Sequence, residues 1–200
     1  TVAGTPAWTA NQFVQSLPSQ VKTYAVQIAG GAKEGMIGRI TANGADSITV
    51  TLDNGDDLTN IGTVAAPLDP DGAGPLTAQA DQIDIMPYWT PASLLPSTTP
   101  SGTRLLLYSG TVPGVNIAAS TTLQYNGTNW VNIQTLATST HSILKFADAF
   151  VLRNNPASPL DFSMVGSVPM TSHRAILKTL TANLAQDNRI GYSSPVPEII

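Results

Sequence analysis

Residues 122–133 read TLQYNGTNWVNI, with Leu123 and Tyr125 alternating with polar residues before an Asn-Gly pair and Trp130 soon after it. Asn-Gly is the favoured pair for a two-residue type I′ turn, because both central positions need positive φ. Such a turn at Asn126-Gly127 sets Tyr125 opposite Thr128 and Leu123 opposite Trp130, on one side of the ribbon. A one-residue slip would send Leu123 to the other face. The pair recurs at Asn43-Gly44 and Asn54-Gly55, eleven residues apart. That is the spacing of short strands in a β-sandwich or barrel.

Outward from these turns the same grammar continues. "TYAVQI" (23–28) alternates around Tyr24, Val26 and Ile28; Ile40 precedes one Asn-Gly pair, and Ile48, Val50 and Leu52 precede the next. "QIDIMPYW" (82–89) is a strand with Ile83 and Ile85 on one face, and "TRLLLYSG" (103–110), "SILKFADAFVLRNN" (142–155), "LDFSMVGSVP" (160–169) and "HRAILKTLTA" (173–182) extend the pattern. Proline-rich 89–102 marks a boundary, since its prolines remove backbone donors and bar a central strand. A short helical turn is expected at Pro91–Leu95, with Thr90 as N-cap and Pro91 at the first helical position. "NQFVQSLPSQVKTY" (11–24) has room for one more turn. No long amphipathic helix and no fixed repeat period are evident; repetition is confined to the style of the hairpins. The expectation is an all-β chain of two small antiparallel sandwich or barrel-like modules, 1–90 and 103–200, joined by a Pro-rich junction at 91–102.

Composition excludes whole classes of function. The 200 residues suffice for two small cores. Charged residues make up only 11%, and polarity comes instead from Thr, Ser, Asn and Gln. Nine scattered Lys and Arg against thirteen acidic residues form no basic stripe, so nucleic acid is not an expected partner. No run approaches the roughly 18 apolar residues of a membrane-spanning helix. With no cysteine, disulfides, thiolate catalysis and Cys-ligated metals are all excluded. This composition suits an exported, cell-surface or secreted protein.

"GTPAWTANQF" (4–13), "YAVQI" (24–28), "GMIGRITAN" (35–43), "DSITVTL" (46–52) and "DQIDIMPYW" (81–89) resemble a short β-module of exported bacterial surface proteins and phage tail proteins. "YNGTNWVNI" (125–133), "FADAFVLRNNPASPLDFSMVGSVPM" (146–170) and "LAQDNRIGYSSPVP" (184–197) are similar to the remainder of an uncharacterised family of exported bacterial proteins carrying that module. The resemblance implies an exported, all-β protein and carries no activity with it. Members of that family extend past both ends of this chain, which implies a processed mature chain or a piece of a longer one.

Candidate chemistry is sparse. Asp53, Asp56, Asp57, Asp69 and Asp71 fall in acidic loops of the kind that calcium prefers. No EF-hand spacing accompanies them, and Asp before Gly is also ordinary turn chemistry. His141 and His173 are the only histidines and no G-x-S-x-G occurs, so a Ser–His–Asp hydrolase has no recognisable framework. Glu34 and Glu198 are the only glutamates, which leaves glycoside hydrolysis without an evident pair. Gly-rich 28–38 lacks the Gly-Lys-Ser/Thr ending of a phosphate loop and reads as a β-turn. Catalysis and a cofactor are therefore not expected. Trp8, Tyr88, Trp89, Tyr125 and Trp130 would stack on sugar rings if exposed in a row, but aromatics in hairpins usually pack in cores.

What remains is an edge problem. β-Proteins blunt their edge strands with Lys, Pro or bulges, because an open edge recruits another chain. "TLQY" (122–125), "ITVTL" (48–52) and "SILKF" (142–146) carry almost no such residues. Thr1–Gly4 and Val196–Ile200 have the character of lone strands that could complete a neighbour's sheet. The expectation is a homo-oligomer or polymer: a structural subunit of an extracellular filament, sheath or surface layer, joined by donor-strand addition through its termini. The alternative is a monomeric carbohydrate-binding or adhesive surface module.

Overall fold

The computed structural model describes residues 6–15, 21–30, 33–52, 82–108, 112, 114–145, 149–155 and 180–188. Their boundary between two compact units falls between Tyr88 and Trp89. The fold is all-β. In the first unit β1 (Tyr24–Ile28), β2 (Ile37–Asn43), β3 (Ile48–Leu52) and β4 (Ile83–Pro87) form an antiparallel sheet in the order β3-β2-β1-β4. In the second, a single turn of helix α1 (Pro91–Leu94) precedes β5 (Arg104–Leu107), β6 (Thr121–Tyr125), β7 (Trp130–Asn132) and β8 (Phe150–Arg153), ordered β7-β6-β5-β8.

β1 is central and buried on both faces, so its alternation in sequence does not become an inside and an outside. Val26 and Ile28 join Met36, Ile40 and Ile83 in the core, and Ile48, Val50, Leu52 and Ile85 close around it. β3 keeps the expected alternation, with Thr49 and Thr51 exposed. A bulge between Ile40 and Ala42 shifts the β2–β3 register, so Asn43 faces Ile48. The β2–β3 loop is then 44–47, closed by Gly44 N–H donating to Ser47 O at 2.9 Å. Asn43 is released from the turn and is only 6% exposed. Its Nδ2 donates to Thr9 O at 2.9 Å, and its Oδ1 accepts from Phe13 N at 3.1 Å. Its backbone oxygen accepts from Asn11 N at 2.9 Å. One buried amide thus ties the segment 9–13 to the end of β2. Residues 10–15 are turns and bends; 16–20, within the stretch with room for a helical turn, lie outside the described residues.

In the second unit Leu94, Leu95, Leu105, Leu123, Tyr125, Trp130 and Leu144 form the core. α1 forms where expected. Thr90 caps it through a reciprocal box: Thr90 Oγ1 accepts from Ser93 N at 3.2 Å and Ser93 Oγ accepts from Thr90 N at 2.8 Å. The proline-rich stretch, expected as a junction, here sends Leu94 and Leu95 into the second core.

The β6–β7 hairpin is present, but its register differs from the expected one. Tyr125 faces Trp130 and Leu123 faces Asn132. Asn126 Oδ1 accepts from Thr128 N at 2.9 Å and from Asn129 N at 2.8 Å, while Asn126 N donates to Asn129 O at 3.0 Å. Asn126 therefore uses its side chain as the turn-forming acceptor, and only Gly127 enters the left-handed region, at φ +98°. The loop runs over 126–129. This shift of two residues preserves the faces of both strands, since side chains alternate with period two. Leu123 and Trp130 both remain buried, and the Tyr125 and Trp130 rings meet at 5.5 Å.

Candidate functional site

The acidic set Asp53, Asp56, Asp57, Asp69 and Asp71 lies outside the described residues, as do His173, Glu198 and the turn at Asn54-Gly55. Among the described residues no three His, Asp or Glu side chains gather where they would hold a metal ion. His141 is half-buried in the connection between β7 and β8, and Glu34 is half-buried in the turn between β1 and β2. The Gly-rich stretch is that turn. Gly35 sits at φ +85°, its N–H donates to Ile28 O at 2.8 Å, and Met36 O accepts from Ile28 N at 2.9 Å.

The five aromatic side chains weighed as a sugar-stacking row, Trp8, Tyr88, Trp89, Tyr125 and Trp130, pack on the two cores. Trp8 meets Phe13 edge to face at 5.0 Å, and Phe13 meets Tyr24 at 5.5 Å, all three against the first core. Tyr88 and Trp130 are buried, and Trp89 packs on the second core, its carbonyl accepting from Leu144 N at 2.7 Å.

Sheet edges among the described residues face outward as well. Of the three stretches expected to need protection, "TLQY" is β6, an inner strand between β5 and β7. Leu144 in "SILKF" is a core residue bridged to Trp89. Of the three, only "ITVTL", β3, lies at an edge among the described residues. β7 is flanked by its own returning chain, where Ser139 N donates to Trp130 O at 2.7 Å and Asn132 N to Ala137 O at 2.9 Å. β8 is different. Among the described residues it pairs with β5 alone, and it exposes Phe150 by 36% and Val151 by 46%. No Lys or Pro interrupts Phe150–Arg153. Its one charged residue is the exposed Arg153 at the end, and the apolar run Phe150–Leu152 before it presents backbone donors and acceptors to an extended segment of matching register. Sequence reading missed β8 as an edge because "FVLR" looks like core. The signal lay in pairing order, which local pattern does not encode.

Arg104 faces Arg153 across the β5–β8 pair, and Arg104 Nε donates to Gln124 Oε1 at 2.9 Å. Like charges directly opposite weaken a sheet locally, so β8 is held by a pair with a built-in opposing term.

No helix among the described residues is long and apolar enough to cross a membrane. In comparisons with family models, curated proteins and solved structures, nothing matches the chain.

Proposed function

We propose that this chain is a structural subunit that assembles outside the cell into a filament, sheath or surface layer by adding a strand from one copy to an open sheet edge of the next. The observation that carries this reading is β8, which among the described residues is an edge strand with exposed Phe150 and Val151 and a single charge at its end, Arg153. Among the described residues β3 is a second edge, with no charge or proline and with Thr49 and Thr51 exposed. The segments expected from sequence to act as donors, Thr1–Gly4 and Val196–Ile200, lie outside the described residues. Head-to-tail strand addition does not close on itself unless symmetry closes it, so it propagates into fibres or tubes. Main-chain hydrogen bonds supply affinity, and pockets for alternate side chains supply specificity. The inward packing of Tyr88, Tyr125 and Trp130 favours a scaffold over a sugar-stacking platform.

Analytical ultracentrifugation with negative-stain microscopy tests the reading. The full chain should polymerise with rising concentration, and a Phe150→Lys/Val151→Lys chain should remain monomeric with unchanged circular dichroism. A full chain that stays monomeric at high concentration, or a doubly substituted chain that polymerises as well, would remove strand addition at β8.

A further inference from the structure

Two octapeptides, Pro6-Ala7-Trp8-Thr9-Ala10-Asn11-Gln12-Phe13 and Pro87-Tyr88-Trp89-Thr90-Pro91-Ala92-Ser93-Leu94, share one pattern. Each is Pro-x-Trp-Thr followed, three residues past the Thr, by a polar acceptor and then a large apolar residue. The acceptor does the same work in both. Gln12 Oε1 accepts from Thr9 N at 2.8 Å, and Ser93 Oγ accepts from Thr90 N at 2.8 Å. The apolar residues also correspond: Trp8 and Phe13 pack on the first core, Trp89 and Leu94 belong with the second.

The match continues through elements far apart in sequence. In each unit the segment leading into the first strand bonds to the last residue of the second strand, Asn11 N to Asn43 O at 2.9 Å and Gly102 N to Tyr125 O at 2.8 Å. In each, the second and third strands are joined by a four-residue loop closed the same way, Gly44 N to Ser47 O at 2.9 Å and Asn126 N to Asn129 O at 3.0 Å. In each, the fourth strand returns to the far side of the first, giving the same antiparallel order. A common strand order alone is easily reached by unrelated β-modules. The same order with the same cap and the same loop closure is not.

We infer that the chain is a tandem repeat: two copies of one module, the second beginning at Pro87, each opening and closing independently of the other. Pro87 serves twice, as the last residue of β4 and the first of the next copy's motif, so no linker separates them. The absence of a visible period in the sequence has a physical cause. The copies differ in their connections, with eight residues between β1 and β2 against thirteen between β5 and β6. They also reach the cap by different backbones: Asn11 is left-handed at φ +58°, whereas Pro91 starts a helical turn. A repeat array has stability that is close to a sum over its units and their interfaces.

Two measurements on the full-length chain decide the matter. The first exchanges equivalent loops by Gly44→Asn, Ala45→Gly, Asp46→Thr and Ser47→Asn, which places the 126–129 sequence at 44–47. An equivalent site accepts the loop, and amide exchange in β2 and β3 should stay within about threefold of the parent. Loss of protection in β2 and β3 would overturn the inference, as the loop carries its own Asn acceptor and Gly and needs only the same closure. The second is amide exchange of the unsubstituted chain in rising urea. Two protection classes that separate at residues 87–89 are expected; a single class rising and falling together across both units would overturn independent opening. If the four-residue exchange prevented folding altogether, that too would count against equivalence, and the urea series would still read independence.

Discussion

Three residues affect stability out of proportion to their size, one by supporting the fold and two by straining it. Asn43 satisfies two backbone groups of 9–13 through its side chain. An unsatisfied buried group costs about 1–3 kcal/mol. Asn43→Ala should therefore lower unfolding stability by roughly 2–3 kcal/mol, read from the urea midpoint, with Trp8 fluorescence reporting release of the segment. Asn43→Asp should be nearly as harmful, since the acceptor to Phe13 survives but the donor to Thr9 is lost. Thr103 is fully buried, and its Oγ1 has no hydrogen-bond partner. Thr103→Val keeps the shape and removes the stranded hydroxyl, and should stabilise by about 1 kcal/mol. Leu136 lies in the left-handed region at φ +61° and is 80% exposed, with its N–H donating to Asn132 O at 2.7 Å. Left-handed geometry costs a residue with a Cβ about 1–2 kcal/mol, so Leu136→Gly should raise the thermal midpoint. No change, or a fall, would show that the exposed leucine is stabilised by contacts this reading omits.

At the scale of elements, the β6–β7 hairpin shows how much of the fold is legible in local sequence. Asn-Gly announces a turn, and alternation names the buried face; both hold. Register was not legible, because Asn126 can serve as a left-handed turn residue or as a side-chain acceptor, and the choice moves every pair by two positions. Asn43 is the same ambiguity resolved the other way, with the asparagine drawn into the core to clasp 9–13. The start of α1 was legible, since Thr90 suits the N-cap and Pro91 the first helical position; the reciprocal role of Ser93 was not read, and the helix ends at Leu94, one residue before the expected end. Edges were the least legible. Whether "FVLR" is inner or outer depends on which strand returns beside β5, a matter of long-range pairing. One prediction belongs here. Replacing Arg153 by Glu turns a like-charge pair with Arg104 into an opposite pair, and should stabilise β8 by roughly 0.5 kcal/mol at low salt, with the gain shrinking as salt screens it. Hydrogen exchange of the β5 and β8 amides at two ionic strengths measures it.

At the scale of the whole molecule, two small cores mean that damage to one should stay local. Trp130→Ala empties a buried site next to Tyr125 and Leu123 and should remove about 3–5 kcal/mol from the second unit. Denaturation followed by near-ultraviolet signals of each unit should then show the second unit melting early while Trp8 and Tyr24 report an unchanged first transition. Coincident transitions would mean that the units fold as one. All-β architecture and two-part organisation were both readable from composition and turn spacing. The candidate assembly edge was not, because composition says that an edge problem exists without saying which strand inherits it.

The antiparallel pairing of the first and fourth strands has a mechanical consequence. Tyr24, where β1 begins, lies across from Pro87, where β4 ends, and Arg104 lies across from Arg153 in the same way. Among the described residues, the chain thus enters and leaves each sheet at one end of one strand pair. Tension along the backbone acts there as a zipper's slider, loading the terminal hydrogen bonds first and the rest in succession. A sheet pulled in shear loads its bonds together and resists; a sheet pulled this way yields step by step at low force. Each opening would release roughly 60 residues, about 200 Å of slack, before covalent or intermolecular links bear load. Pulled end to end in optical tweezers, the molecule should lengthen in two such soft steps and recover them when the tension is let go.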